Sequence, residues 1–122
     1  MTTESNVKVV TINYVPGFKI TKVVGQTFGI VVRSRGIGGN LVAGIRGLIG
    51  GEINEYTKML SDAREHAIQR LMENAAALGA NAVIEMRFDS SEIGQIMTEV
   101  VAYGTAVIIE KDTVKPESVS LR

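Results

Sequence analysis

Residues 50–83 read GGEINEYTKMLSDAREHAIQRLMENAAALGANAV, and this run constrains the fold more than any other part of the chain. Tyr56, Leu60, Ala63, Ala67, Leu71, Ala75 and Leu78 recur at steps of three and four, flanked by Met59 and Ile68. That spacing lays them along one stripe of an α-helix. Glu52, Glu55, Lys58, Asp62, Glu65, Arg70 and Glu73 fall largely outside the stripe and belong in solvent. Glu52 and Glu55 stand in the first turn, where unpaired N–H groups favour negative charge. Gly79 follows the last apolar residue, where a helix end calls for positive φ. From Ala80 to Asp89 the pattern switches to period two. Ala82, Ile84, Met86 and Phe88 share one face, and Val83, Glu85, Arg87 and Asp89 share the other. A helix with one apolar stripe must bury it, and the strand that follows belongs to the layer it covers.

The chain has 122 residues, enough for one domain with a real core. A single domain over 1–122 is expected, with mobile ends at 1–5 and 112–122. Val7 to Tyr14 reads as a first strand, and Pro16-Gly17 as a turn. Phe18 to Arg33 is rich in β-formers, with Phe18, Ile20, Val24, Phe28, Ile30 and Val32 on one parity. Gly25 and Gly29 interrupt it and suggest a bend or bulge. Gly39, Ala43, Gly47 and Gly51 place small residues every fourth position, and a short helix is expected over about 39–49. Its glycines cost roughly 1 kcal/mol each against alanine, and close backbone approach is the usual reason to keep them. After the long helix come strands at 81–89 and about 96–110, joined as a hairpin by Ser90-Ser91-Glu92-Ile93-Gly94. The last strand becomes apolar on both parities toward its end, so both of its faces should be covered. The order is β-β-α-α-β-β, an α+β domain in two layers with helices on a small antiparallel sheet.

Composition excludes several functions. Thirteen basic side chains balance thirteen acidic ones, and nothing in the composition suggests a nucleic-acid-backbone binder, which needs a basic face. There is no cysteine, hence no disulfide, thiolate nucleophile or thiolate metal site. The apolar stretch 37–51 is too short for a bilayer and carries Arg46 in its middle. No secretory pattern opens the chain, so the expected location is the cytoplasm.

One set of motifs resembles a known family. Gly50-Gly51-Glu52, Tyr56-Thr57, Leu60, Ala63-Arg64, Ala67, Gly79-Ala80-Asn81-Ala82-Val83 and Gly104-Thr105-Ala106-Val107 together resemble the YbjQ-like family, and Pro16-Gly17 fits as well. The resemblance runs over residues 7 to 110. The family comprises small bacterial proteins mostly of unknown function, often labelled heavy-metal-binding. It implies a dodecin-like fold and ring-shaped pentamers. It implies no reaction and no catalytic residues.

Three groups of residues carry candidate chemistry. The single histidine, His66, lies four residues after Asp62 on the long helix, so one helix face presents an imidazole and a carboxylate. A transition-metal site usually takes four N or S ligands, and this chain lacks them, so a surface or subunit-contact histidine is preferred and no cofactor is expected. Arg33 and Arg35, with the backbone of Gly36, Gly38 and Gly39, precede the short helix and would suit a small anion. The spacing is neither a P-loop nor GxGxxG, and a plain glycine connection is the simpler reading. Glu85, Arg87, Glu99 and Tyr103 form a polar sheet face, with Asp89 beside them. That face suits cross-strand ion pairing better than acid–base work. The functional expectation is a non-enzymatic homo-oligomer, by family resemblance a pentamer, that binds a small polar ligand or ion or acts as a scaffold. An enzyme acting on a small anionic substrate at subunit joints, and a metal-binding module, are the alternatives.

Overall fold

The computed structural model describes residues 6–34, 54–94 and 96–113. In chain order these form β1 (Lys8–Val9), β2 (Phe18–Ser34), α1 (Asn54–Ala77), β3 (Ala82–Ile93) and β4 (Met97–Lys111). The domain is α+β, as expected, with the strands in the order β1-β3-β4-β2. The expected short helix at 39–49 and the terminal segments 1–5 and 114–122 lie outside the described residues, as does the side chain of Tyr56.

The sheet is mixed, which corrects the antiparallel expectation. β1 runs parallel to β3, with Lys8 opposite Ala82. β2 and β3 flank β4, and both run antiparallel to it. The first strand is also shorter than expected. The chain bends over residues 11–14, where it follows an irregularity in β3. Pro16-Gly17 does make the turn: Phe18 N donates to Val15 O at 3.0 Å, and Gly17 has φ +84°. The hairpin turn comes later than expected, because β3 continues through Ser90 and Ser91 to Ile93, opposite Met97.

Helix α1 lies over β2 and β4. Ala63, Ala67, Leu71 and Ala75 are fully buried, as the stripe predicts. Leu78 is not; the helix has ended and its side chain is exposed. Three of these four buried residues are alanine, so the helix backbone comes close to the sheet. Gly29 is the counterpart: a Cβ there would overlap the Ala67 carbonyl oxygen and stand 2.6 Å from Leu71 N. Gly29 is therefore a contact point for the helix, not a bulge. Side chains lock the approach. Thr27 Oγ1 donates to Leu71 O at 3.0 Å, while Arg70 and Asn74 each donate at 2.6 Å to Ile30 O and Phe28 O. The last two bonds blunt a stretch of the edge strand β2. The helix closes with Ala80 N donating to Ala75 O, Gly79 N donating to Ala76 O, and Gly79 at φ +93°. This is the Schellman arrangement that Gly79 predicts. Asn81 then clamps β4, giving an amide N–H to Ile109 O and accepting from Ile109 N.

Register shifts decide which side chains meet. Ile84 pairs with Thr105, but Arg87 pairs with Tyr103, so β3 holds one residue more than β4 across that interval. Glu85 sits in the bulge at φ +55°. The bulge flips the alternation predicted for 82–89. Val83, Met86 and Phe88 pack toward the helix, whereas Ala82 and Ile84 join the opposite face. β2 has shifts between Ile20 and Lys22 and between Val23 and Gly25, which also break its single parity. Val24 packs toward the helix, while Phe18 joins the cluster on the other face.

The second face is only half covered. Val10, Val15 and Phe18 fold over Ala82, Ile84, Val107 and Ile109. This explains the double apolar parity of β4, since Ala106 faces the helix cluster and Val107 faces this one. Beyond it, Phe28, Ile30 and Val32 remain 45–48% exposed, beside Tyr103 at 40%. The described residues hold no helix long and apolar enough to cross a membrane.

Candidate functional site

The structure brings two sequence-predicted groups together. Arg33 is near the end of β2, and its Nη2 donates to Nδ1 of His66 on α1. Asp62, one turn before His66, pairs with Lys58 at 3.3 Å. Arg33, Lys58, Met59, Asp62 and His66 line an open cleft of about 440 Å³. Accepting at Nδ1 puts the imidazole proton on Nε2. The two side chains proposed as metal ligands are thus each engaged by a cation. A metal ion there would displace Arg33 from His66, Lys58 from Asp62, and meet both positive charges. These residues do not fit a resident metal. Among the described residues, no group of three or more His, Cys, Asp or Glu side chains is placed to hold one. The rest of the proposed anion site, Arg35, Gly36, Gly38 and Gly39, lies outside the described residues.

The polar sheet face is partly assembled. Arg87 pairs with Tyr103 in register, and Glu99 lies across from Ser91. These residues occupy the open face, beside the exposed stripe of β2. Their bonds are structural. Arg87 donates to Thr11 O at 2.9 Å and to Met86 O at 3.0 Å, while Ser91 Oγ donates to Glu99 Oε1 at 2.9 Å. Glu85 in the bulge is 4.0 Å from the Arg87 guanidinium. Arg87 therefore fastens the bent 11–14 segment to the bulge. No convergent acid and base results.

A further cleft escaped sequence reasoning. Between α1 and the β3–β4 hairpin, Leu60, Arg64, Ser90, Ser91, Glu92 and Thr98 line a space of about 330 Å³. Thr98 is only 6% exposed. Its Oγ1 is the buried side-chain polar atom that lacks a hydrogen-bond partner among the described residues. An unpaired buried hydroxyl costs about 1–3 kcal/mol. Arg64 lies with its guanidinium carbon 5.0 Å from the centre of the Phe88 ring. One sequence signal was available: Thr98 leads the helix-facing parity of β4, ahead of Val100 and Ala102, and a hydroxyl there breaks an apolar series.

Comparisons with known proteins agree with one another. A family model, YbjQ-like, described as "Putative heavy-metal-binding", matches residues 7–110. A UPF0145 protein from Thermoplasma volcanium is 64% identical over 110 residues, covering 90% of each chain. Another from Thermoplasma acidophilum is 62% identical over 117 residues, 96% of this chain and 98% of the relative. A third, from Bradyrhizobium, is 58% identical over 107 residues, 88% of this chain and 96% of its own. Relatives are thus archaeal as well as bacterial, broader than the bacterial expectation. A crystal structure of a protein of unknown function of the DUF74 family, from Pediococcus pentosaceus, superposes with a TM-score of 0.57 at 18% identity. It covers 85% of this chain and 98% of that one, and shows the shared fold.

Proposed function

The chain belongs to the YbjQ-like family, and from that premise we propose that it is a non-enzymatic protein that assembles with copies of itself and presents a binding surface for a small polar molecule. The observation that carries this reading is the open sheet face. Phe28, Ile30 and Val32 lie on one strand, Phe28 sits opposite Tyr103 and Ile30 opposite Val101. The helix covers the other side, and the 10–18 segment stops short of this stripe. A second copy laid on it would remove apolar surface from water, at about 25 cal/mol per Å². Arg87, Asp89 and Glu99 would form a polar rim on the β3 side. The formal net charge is zero, so electrostatic repulsion does little to keep copies apart. The family resemblance makes a closed ring of five the assembly we propose, with a heterologous contact that closes by rotation.

The doubly apolar end of β4 is covered within the chain; the stripe on β2 takes its place. The family's heavy-metal description is not carried over to His66 and Asp62, because both are engaged by cations. Light scattering tests the assembly. The wild type should show a multiple of 13.1 kDa. Ile30→Asp, which puts a charge into the stripe without touching the helix side, should shift it toward a single chain with its circular dichroism retained. A wild-type mass of one chain at high protein concentration refutes the assembly, and a stable dimer refutes the ring.

A further inference from the structure

We propose that the cleft lined by Arg33, Asp62 and His66 binds a small amino-carboxylate zwitterion, with the ligand's carboxylate on Arg33 and His66 and its ammonium on Asp62. The inference rests on the ligand-binding half of the reading above and names its site and ligand class. It does not require self-association.

The first argument is that charges of both signs meet in one accessible space. Lys58, Asp62 and His66 follow one another at steps of four on α1, so they share a helix face. Arg33, near the end of β2, meets that face at His66. Together with Met59 they line the open cleft of about 440 Å³. Arg33 is half-buried and His66 exposed, while the side chains of Asp62 and Lys58 are 50% and 78% exposed. The second argument is the bonding capacity these groups retain. Arg33 gives Nη2 to an imidazole, which accepts a hydrogen bond without neutralising the guanidinium charge. The fork has further N–H donors for the two oxygens of a carboxylate, and His66 adds the Nε2 proton. Asp62 meets Lys58 through Oδ2. An ionised carboxylate accepts about four hydrogen bonds, so a ligand's ammonium can bond beside Lys58. The Lys58–Asp62 pair is exposed, and such pairs hold weakly.

The mixed signs select the ligand. An anion alone would face the Asp62 carboxylate, and a cation alone would face Arg33 and Lys58. A zwitterion meets both ends and leaves the net charge of the cleft unchanged. A metal ion differs in bringing positive charge with no carboxylate of its own to offer Arg33. Half-buried Met59 gives the ligand's methylene groups an apolar contact. A volume of about 440 Å³ lies toward the small end of ligand sites. The cleft at Arg64 makes a weaker candidate, because the Thr98 hydroxyl is enclosed beyond a ligand's reach.

The test is isothermal titration calorimetry of the full chain with glycine, β-alanine and 4-aminobutyrate, against acetate, methylammonium and inorganic phosphate at one pH and ionic strength. At least one amino-carboxylate should give a saturable heat. Acetate and methylammonium should bind about tenfold more weakly or not at all, since each lacks one charged hydrogen-bonding group. Arg33→Gln and Asp62→Asn should each weaken the amino-carboxylate about tenfold or more, with circular dichroism unchanged. The two variants differ toward acetate. Arg33→Gln should abolish any acetate binding, whereas Asp62→Asn removes a repelling charge and should leave it level or improved. The proposal fails if no amino-carboxylate saturates. It fails equally if acetate or phosphate binds as tightly, or if either variant binds the amino-carboxylate like the wild type. Light scattering on the same samples separates the two readings. A single chain that binds an amino-carboxylate keeps this site and refutes assembly; an oligomer that ignores all three does the reverse.

Discussion

Gly29→Ala tests the helix–sheet contact most directly. The added Cβ would overlap the carbonyl oxygen of Ala67 and stand 2.6 Å from Leu71 N. Both atoms are helix backbone, so no side-chain rotation relieves the overlap; α1 has to lift from β2. Overpacking of this kind costs about 1–3 kcal/mol. Lifting also stretches the bonds from Thr27, Arg70 and Asn74 that tie helix to strand. Each contributes about 0.5–1.5 kcal/mol net. Alanine offsets about 0.5–1 kcal/mol by being the better strand residue. The net loss should be about 2–4 kcal/mol, a large part of the roughly 5–15 kcal/mol that holds a domain folded. Urea unfolding followed by far-ultraviolet circular dichroism measures it. Both proteins must be at equal concentration, because self-association would tie stability to concentration. Ala67→Gly should not rescue the variant, since the overlap is with an oxygen that glycine also carries. A change within about 0.5 kcal/mol of the wild type, the range of ordinary surface substitutions, would show that helix and strand are not in contact here.

Two further outcomes follow from single residues. Asn81→Ala removes both bonds to Ile109 and should cost about 1–3 kcal/mol, with hydrogen exchange at the Ile109 amide accelerated; unchanged protection there would refute the clamp. Equilibrium dialysis at neutral pH should show no tight zinc site, because Arg33 and Lys58 occupy the groups a metal would need; near-stoichiometric submicromolar binding lost in His66→Ala would overturn this.

The candidate sites were legible in parts. His66 and Asp62 share a helix face because a four-residue step always places them so. That Arg33 would reach His66 was not legible, since the two are separated by 33 residues and meet only when β2 pairs with β4 beneath the helix. Arg64 and Thr98 were missed for a similar reason. Neither is unusual alone, and the cleft takes its lining from both the helix and the hairpin.

The amino-acid sequence by itself determined the local features: the stripe of α1, the Gly79 helix end, the Pro16-Gly17 turn and the strand content of residues 18–33, 82–89 and 97–110. Each depends on backbone preferences or periodicity within a few residues, so it is written where it acts. Tertiary structure decided the rest. The bulge at Glu85 moves Met86 and Phe88 to the helix side, against the alternation their positions suggest. The parallel pairing of β1 depends on Ala82 and Val83, far along the chain. The outward aim of Phe28, Ile30 and Val32 depends on Gly29 meeting Ala67 on the opposite face. In a strand a shift of one residue exchanges the two faces, and that shift is set by distant partners competing for the same hydrogen bonds. Periodicity therefore located the strands, while only pairing settled which side of each faces the helix and which remains open.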